Sequence, residues 1–293
     1  MRILSVQSSV AYGHVGNSAA VFPLQRLGHE VWPVITVHFS NHTGYGEWRG
    51  PLLAASDVAD VIRGIGEREV PGPDGSAVSV LATADAVLTG YQGAEDVGQV
   101  VLDAVARVKE LNPAAVYCCD PVMGDVGRGM FVRPGIPEFM RDSVVPAADL
   151  ITPNHFELDF LAGRETRTMA EVLDAVDAVR ARGPRTVLVT SLLHDEVPEG
   201  HLDVLAVTDE GAWTVTTPQL PISPNGAGDL TSALWLAHLT TADSVPAALS
   251  ATTSAVYGVL RATLESGHRE LRLVPAQDEI VRPGQIFEAR QVR

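Results

Sequence analysis

Short apolar runs alternate with amphipathic stretches along most of this chain, and that alternation limits its fold more than any other feature. Ile3 to Gln7, Val31 to Val37, Ala86 to Gly90, Ala114 to Cys119, Leu150 to Thr152 and Thr186 to Thr190 read as strands. Gly16 to Leu27, Glu95 to Leu111, Met169 to Arg182, Gly228 to Leu239 and Ser244 to Leu264 carry helical spacing, and Leu202 to Val207 with Trp213 to Thr217 reads as a hairpin. Strands alternating with helices imply a mainly parallel sheet. Strands apolar at successive positions imply that both faces of the sheet are covered. The expected class is therefore α/β, with three layers in the order α/β/α. A chain of 293 residues can hold one large domain or two ordinary ones. The one candidate linker, Pro71-Gly72-Pro73-Asp74-Gly75-Ser76, is short and falls between a helix and a strand. It reads as a surface loop, which leaves a single domain spanning residues 1–293.

Charge and residue counts remove several function classes. Lys plus Arg is 21 against 36 for Asp plus Glu, a net charge of −15, whereas a nucleic-acid binder neutralises phosphates with cations. No apolar run of membrane-spanning length is present, and the start of the chain lacks the apolar core of a signal peptide. The two cysteines, Cys118 and Cys119, are adjacent and form no disulfide framework. The expectation is a cytoplasmic protein with no membrane or nucleic-acid partner. Lys109 is the single lysine, between Val108 and Glu110, so no P-loop Gly-Lys-Ser/Thr exists. Its amphipathic surroundings mark it as a solvated surface charge rather than the Schiff-base amine of a pyridoxal-phosphate enzyme. No Gly-x-Gly-x-x-Gly follows the first strand, which removes a dinucleotide-binding reading.

Polar and glycine-rich segments fall at the carboxyl ends of the strands, where open parallel sheets bind ligands. Three of them can carry chemistry. Asn225-Gly-Ala-Gly-Asp229 opens a helix. Small residues there let an anion approach free N–H groups, and a carboxylate in the same turn can accept a proton from a hydroxyl. The alternative is a capping role for Asp229. Asp120-Pro-Val-Met-Gly-Asp125, continuing into Val-Gly-Arg-Gly, ends a strand in a carboxylate and adds a second in a glycine-rich loop. Such carboxylates can hold Mg2+ directly or through water, and the alternative is a solvated turn. Thr152-Pro-Asn154-His-Phe-Glu157 places Asn154 and Glu157 on one helix face, either for metal-bound water or for a capping box.

These three motifs, in this order, resemble the ribokinase-like superfamily, a three-layer α/β/α fold with a mainly parallel central sheet. The first third of the chain narrows the likeness. Gln7-Ser8, Tyr12 to Ala20, Phe39-Ser-Asn-His-Thr-Gly-Tyr45 with Trp48 and Gly50, Thr89-Gly90-Tyr91 and Asp120 to Gly124 are similar to the pyridoxal kinases, and the matched motifs run from residue 3 to about residue 265. The hydroxymethylpyrimidine kinases of the superfamily generally carry a cysteine in the anion-hole turn, which this chain lacks.

The resemblance implies an ATP-dependent kinase for the 5′-hydroxymethyl group of pyridoxal, with pyridoxine and pyridoxamine as further acceptors, in vitamin B6 salvage. It implies that Asp229 is the base and that the amides of Gly226, Ala227 and Gly228 form the anion hole. Ser8, Val15, Phe39, Thr43 and Tyr91 match the acceptor site. Asp120, Asn154, Glu157, Thr190 and Ser191 match the nucleotide side. Asp120, Asp125, Thr152 and Glu157 match positions around the metals, with Mg2+ as the divalent ion and K+ as a candidate monovalent one. A homodimer is implied in the same way. His14 and His42 lie in matched segments, as ligand contacts or as loop packing. Arg128 and Arg133 flank the glycine-rich loop. Leu220-Pro-Ile-Ser-Pro-Asn225 is richer in proline than the family pattern, and Gly267 to Arg293 carries no readable motif. The other readings are a superfamily kinase for another small alcohol, such as a hydroxymethylpyrimidine, and a non-catalytic vitamer-binding protein.

Overall fold

Successive side chains of a strand point to opposite faces of its sheet. In β1 (Arg2–Val10), Ile3 therefore joins the core on one face while Leu4 and Val6 join the core on the other. The same split divides the adjacent cysteines: Cys118 packs on the Ile3 side, Cys119 on the Leu4 side, both wholly buried and unbridged. Burial pushes both thiols up, that of Cys119 to about 12, so neither is a reactive thiolate.

The computed structural model describes residues 1–72 and 74–293. After β1 come α1 (Asn17–Arg26), β2 (Glu30–Phe39), α2 (Ala55–Gly66), β3 (Glu69–Pro71), β4 (Ala77–Ser79), β5 (Ala86–Thr89) and α3 (Glu95–Leu111). Then follow β6 (Val116–Cys119), β7 (Gly124–Asp125), β8 (Gly129–Met130), α4 (Ile136–Phe139), α5 (Val145–Ala147), β9 (Leu150–Ile151), α6 (His155–Ala162) and α7 (Met169–Arg180). The last third holds β10 (Thr186–Leu192), β11 (His201–Thr208), β12 (Gly211–Pro218), α8 (Ala227–Thr241), α9 (Val245–Ser266), α10 (Gln277–Val281) and β13 (Arg290–Gln291).

Nine strands form one sheet in the order β13-β12-β11-β10-β9-β6-β5-β1-β2. Every pairing from β2 to β10 is parallel, and those from β10 to β13 are antiparallel. The helices α2, α3, α6 and α7 cover one face, with Val58, Val105, Leu158 and Val176 in its core. The other face is covered by α1, α8 and α9, with Leu24, Trp235 and Leu249 in its core. The chain adds β2 on one side of β1 and β5 on the other. The strand order thus reverses at β1, and a crevice opens beyond the carboxyl ends of β1 and β5.

One sequence reading is corrected. Residues 71–76 do not join a helix to a strand: Glu69–Pro71 and Ala77–Ser79 pair antiparallel around them, with Pro73 outside the described residues. Lys109 is a surface charge as expected, and its Nζ lies 2.7 Å from Asp149 Oδ2, an oxygen that also accepts from the Tyr117 N–H.

Candidate active site

Gly226 turns the chain into α8 at φ +89°, in the left-handed region, and a Cβ there would lie 1.8 Å from the His14 carbonyl oxygen. Both constraints demand glycine. No side chain caps α8, so its first N–H groups stay available to an anion. Asp229 stands inside the first turn, after the cap position Gly226, and its carboxyl is met by the Gly16 N–H and by its own N–H. Removal from water raises the Asp229 carboxyl above its ordinary range, and those N–H groups partly oppose the rise. Gly90 leaves room beside it, since a Cβ there would lie 3.4 Å from Asp229 Oδ1.

Asp120 ends β6 and is held by its N–H on the Thr89 carbonyl at 2.8 Å. Burial, then the negative charges of Glu157 and Asp229, drive its carboxyl well above the usual range. Thr152 shares a 2.7 Å hydrogen bond with Ser232 on α8. Glu157 does what the capping alternative describes. Its Oε2 accepts from Asn154 N at 3.0 Å, while Asn154 Oδ1 accepts from Glu157 N at 2.9 Å. Its Oε1 also accepts from Met123 N and Gly124 N, so the carboxylate anchors the loop after β6 as well as α6. Burial outweighs these bonds and pushes its carboxyl up to about 7. Asn154 adds a 2.8 Å bond from its amide to the Gly124 carbonyl.

The β7–β8 hairpin carries Asp125, whose carboxylate accepts from Val126 N at 2.8 Å, and Arg128, which donates to Asn225 Oδ1 at 3.1 Å. The glycine-rich loop is thereby tied to the residue before Gly226. Thr190 N donates to the Pro153 carbonyl at 2.9 Å. Ser191 follows with φ +50°, alone among the described non-glycine residues in positive φ. A bulge between Val189 and Leu192 accompanies it. Backbone strain of this kind concentrates at ligand sites.

Ser8, Val15, Phe39, Thr43 and Tyr91 line the same cavity. Phe39 packs on Trp48 with ring centroids 5.9 Å apart, and Tyr91 is fixed through its carbonyl by the Thr36 hydroxyl. His42 is only 6% exposed and lies 2.9 Å from Glu270, and it also lines the cavity. His14 meets Glu270 through its backbone N–H at 3.2 Å.

One cavity of about 830 Å³ is lined by all sixteen residues that the sequence singled out, from Ser8 to Asp229, and also by Arg128 and Arg133. Sequence reasoning missed Glu270, which stands in a segment with no motif. It missed the Asn225 link to Arg128, because neither residue type signals the other. The apolar lining residues Leu193, Leu202, Val204, Val256 and Leu260 were also missed.

The donor set suits a hard cation that keeps most of its water. Among the described residues no group of three His, Cys, Asp or Glu side chains is arranged to hold an ion unaided. Mg2+ bound to phosphates needs only one or two carboxylates, and Asp120 and Asp125 both line the cavity.

The family model described as phosphomethylpyrimidine kinase matches residues 77–273. Pyridoxal kinase PdxY of Rubrobacter xylanophilus is 59% identical over 293 residues, covering 100% of this chain and 98% of the relative. PdxY of Leifsonia xyli subsp. xyli is 56% identical over 292 residues and covers 100% of both. Among solved structures, pyridoxal kinase from Leishmania donovani in complex with ADP and ginkgotoxin superposes with a TM-score of 0.89 at 30% identity, covering 100% of this chain and 99% of that one. The same enzyme in complex with ADP and pyridoxamine gives 0.89 at 29% identity.

Proposed function

Since this chain belongs to the pyridoxal kinase family, within the ribokinase-like fold, we propose that it transfers the γ-phosphoryl group of ATP to the 5′-hydroxymethyl group of pyridoxal. The product is pyridoxal 5′-phosphate, and the reaction belongs to vitamin B6 salvage. Pyridoxine and pyridoxamine are further acceptors. The observation that carries the residue assignment is the convergence of all sixteen sequence-selected residues on one cavity.

The acceptor ring lies between Val15, Phe39 and Tyr91, with Ser8 and Thr43 on its polar substituents. A flat heteroaromatic calls for this mixture of apolar walls and a few placed polar groups. Asp229 takes the proton from the 5′ hydroxyl as the oxygen attacks. Its raised proton affinity suits a base working near neutrality. The amides of Gly226, Ala227 and Gly228 stabilise the charge that develops on the transferring group. Asn154, Glu157, Thr190 and Ser191 serve the nucleotide side. Asp120, Asp125 and Thr152 would hold Mg2+, with Glu157 orienting its water. Bound there, the ion supplies neutralisation of phosphate charge. Asp120, Thr152 and Thr190 also suit a monovalent cation such as K+. The Gly124 to Val132 loop, tethered by Arg128 to Asn225, excludes water from the transfer.

The chain acts as one domain of residues 1–293, supported by β1 and β13 sharing one sheet. The reading includes a cytoplasmic homodimer. No helix among the described residues is long and apolar enough to cross a membrane. The family model's description favours one alternative, a hydroxymethylpyrimidine acceptor. The test is product formation from pyridoxal, ATP and Mg2+ with K+ present, wild type beside Asp229→Asn. Turnover lost in the variant supports the reaction and the base. A wild type that turns over only hydroxymethylpyrimidine, or binds pyridoxal without turnover, overturns the acceptor or the catalytic reading.

A further inference from the structure

Glu270 lies outside every motif, yet two distant chain segments meet on it. It is 9% exposed. Its Oε1 accepts from the Tyr45 hydroxyl at 2.7 Å and lies 2.9 Å from His42 Nε2. Its Oε2 accepts from His14 N at 3.2 Å, and a Cβ on Gly13 would strike this oxygen at 2.1 Å. Burial raises its carboxyl, and the bonds from Tyr45 and His42 outweigh that, leaving it below its ordinary value. It is therefore an ionised acceptor, the stronger kind of hydrogen-bond partner. The preceding residue grips the same loop. Arg269 donates to the Gly44 carbonyl, and its guanidinium stands 4.0 Å from the centre of the Tyr45 ring.

Both segments held by Glu270 abut the anion-hole turn. The His14 carbonyl sits where a Cβ on Gly226 would be, and the site of a Cβ on Gly44 lies 2.5 Å from Asn225 Nδ2. Thr43, on the acceptor side of the cavity, stands between the clasped residues His42 and Gly44. The acceptor loop and the phosphoryl-holding turn therefore rest on each other, across a seam that Glu270 closes together with Arg269.

We propose that Glu270 is a positioning residue for the transfer reaction, clasping the His42–Tyr45 loop to the His14 turn and so setting the register between the acceptor hydroxyl and the first turn of α8. This rests on the kinase reading above. A misplacement of about 1 Å at a reacting centre can cost as much as a hundredfold in rate.

The test uses Glu270→Ala, Glu270→Gln and Tyr45→Phe in the full chain, with kinetics normalised to folded protein by thermal unfolding. In Glu270→Ala, kcat/KM for pyridoxal falls about thirtyfold, with KM for ATP within about twofold of wild type. Glu270→Gln, which keeps one acceptor oxygen, recovers most of the loss. Tyr45→Phe costs a few-fold and serves if the alanine variant does not fold. Wild-type kcat/KM in Glu270→Ala, or in Tyr45→Phe where that variant stands in for it, overturns the proposal. So does a loss that raises KM for ATP equally and tracks a lowered unfolding temperature. Should wild type prefer another hydroxymethyl acceptor, the same comparison is made with that acceptor, so the acceptor assignment and the clasp fail separately.

Discussion

Two helices begin in the same cavity and spend their first turns in opposite ways. In α6, Asn154 and Glu157 form a capping box, and Glu157 also satisfies the amides of Met123 and Gly124. Its start is closed by its own side chains. In α8, Gly226 is left-handed, no side chain caps the turn, and the only carboxylate in it faces the cavity. The closed start builds the wall, and the open start holds the ligand. A helix whose first turn lacks a cap forgoes about 1 kcal/mol of local stabilisation. In α8 that is offset by burial, with Leu230 to Ala237 buried at eight successive positions.

Replacing the base tests the open turn most severely. Asp229→Asn keeps the shape and removes the proton acceptor, so kcat falls about a thousandfold with ATP binding retained. A fall under tenfold, read by product formation, would show that this carboxylate is not the base. Next in size, Gly226→Ala places a methyl group against the His14 carbonyl, and kcat falls by about a hundredfold or more. An active Gly226→Ala would mean that the turn tolerates a shift and the amide geometry is not decisive.

The burial that replaces a cap in α8 has a pH signature in its last turn. Burial, with a smaller contribution from His29, lowers the His238 pKa to about 4. The unfolded chain takes up this proton near 6.5 and the folded one only near 4. Stability is therefore full above about pH 6.5 and declines as pH drops across that window, by on the order of 3 kcal/mol from this group. Denaturant midpoints of wild type and His238→Gln at pH 7.5 and 4.5 check it, and an equal drop in both proteins would assign the effect elsewhere.

The mildest comparison sets two capping boxes side by side. Thr168 and Glu171 cap α7 at the surface, as Asn154 and Glu157 cap α6 in the cavity. Thr168→Ala and Asn154→Ala each cost about 1 kcal/mol. Only Asn154→Ala also lowers kcat, since its amide holds the Gly124 carbonyl. Equal activity in the two would dissolve the distinction between wall and scaffold.

The parts legible in the sequence are those whose chemistry is local. Gly226 to Asp229 displays its small residues and its carboxylate within one turn, and the alternation of strands and helices displays the sheet. What stayed hidden depends on partners distant in sequence. Asp149 claims Lys109 only because β6 and β9 are neighbours. Glu270 looks like any surface glutamate until the fold brings His14 and Tyr45 to it. The capping and metal readings of Asn154-x-x-Glu157 differ only in where two oxygens point, which residue types do not encode. The three-residue β3 and β4 and the two-residue β7 and β8 are too short to show a period.

The bond from His14 to Glu270 spans 256 positions of chain, which has a consequence for how the molecule forms. Synthesis must pass residue 270 before the turn after β1 can meet the carboxylate that secures it. Closing so wide a loop is an entropic cost that only late contacts repay. During renaturation, helix content therefore returns ahead of enzymatic competence, and on mild denaturation competence is lost while most of the sheet persists.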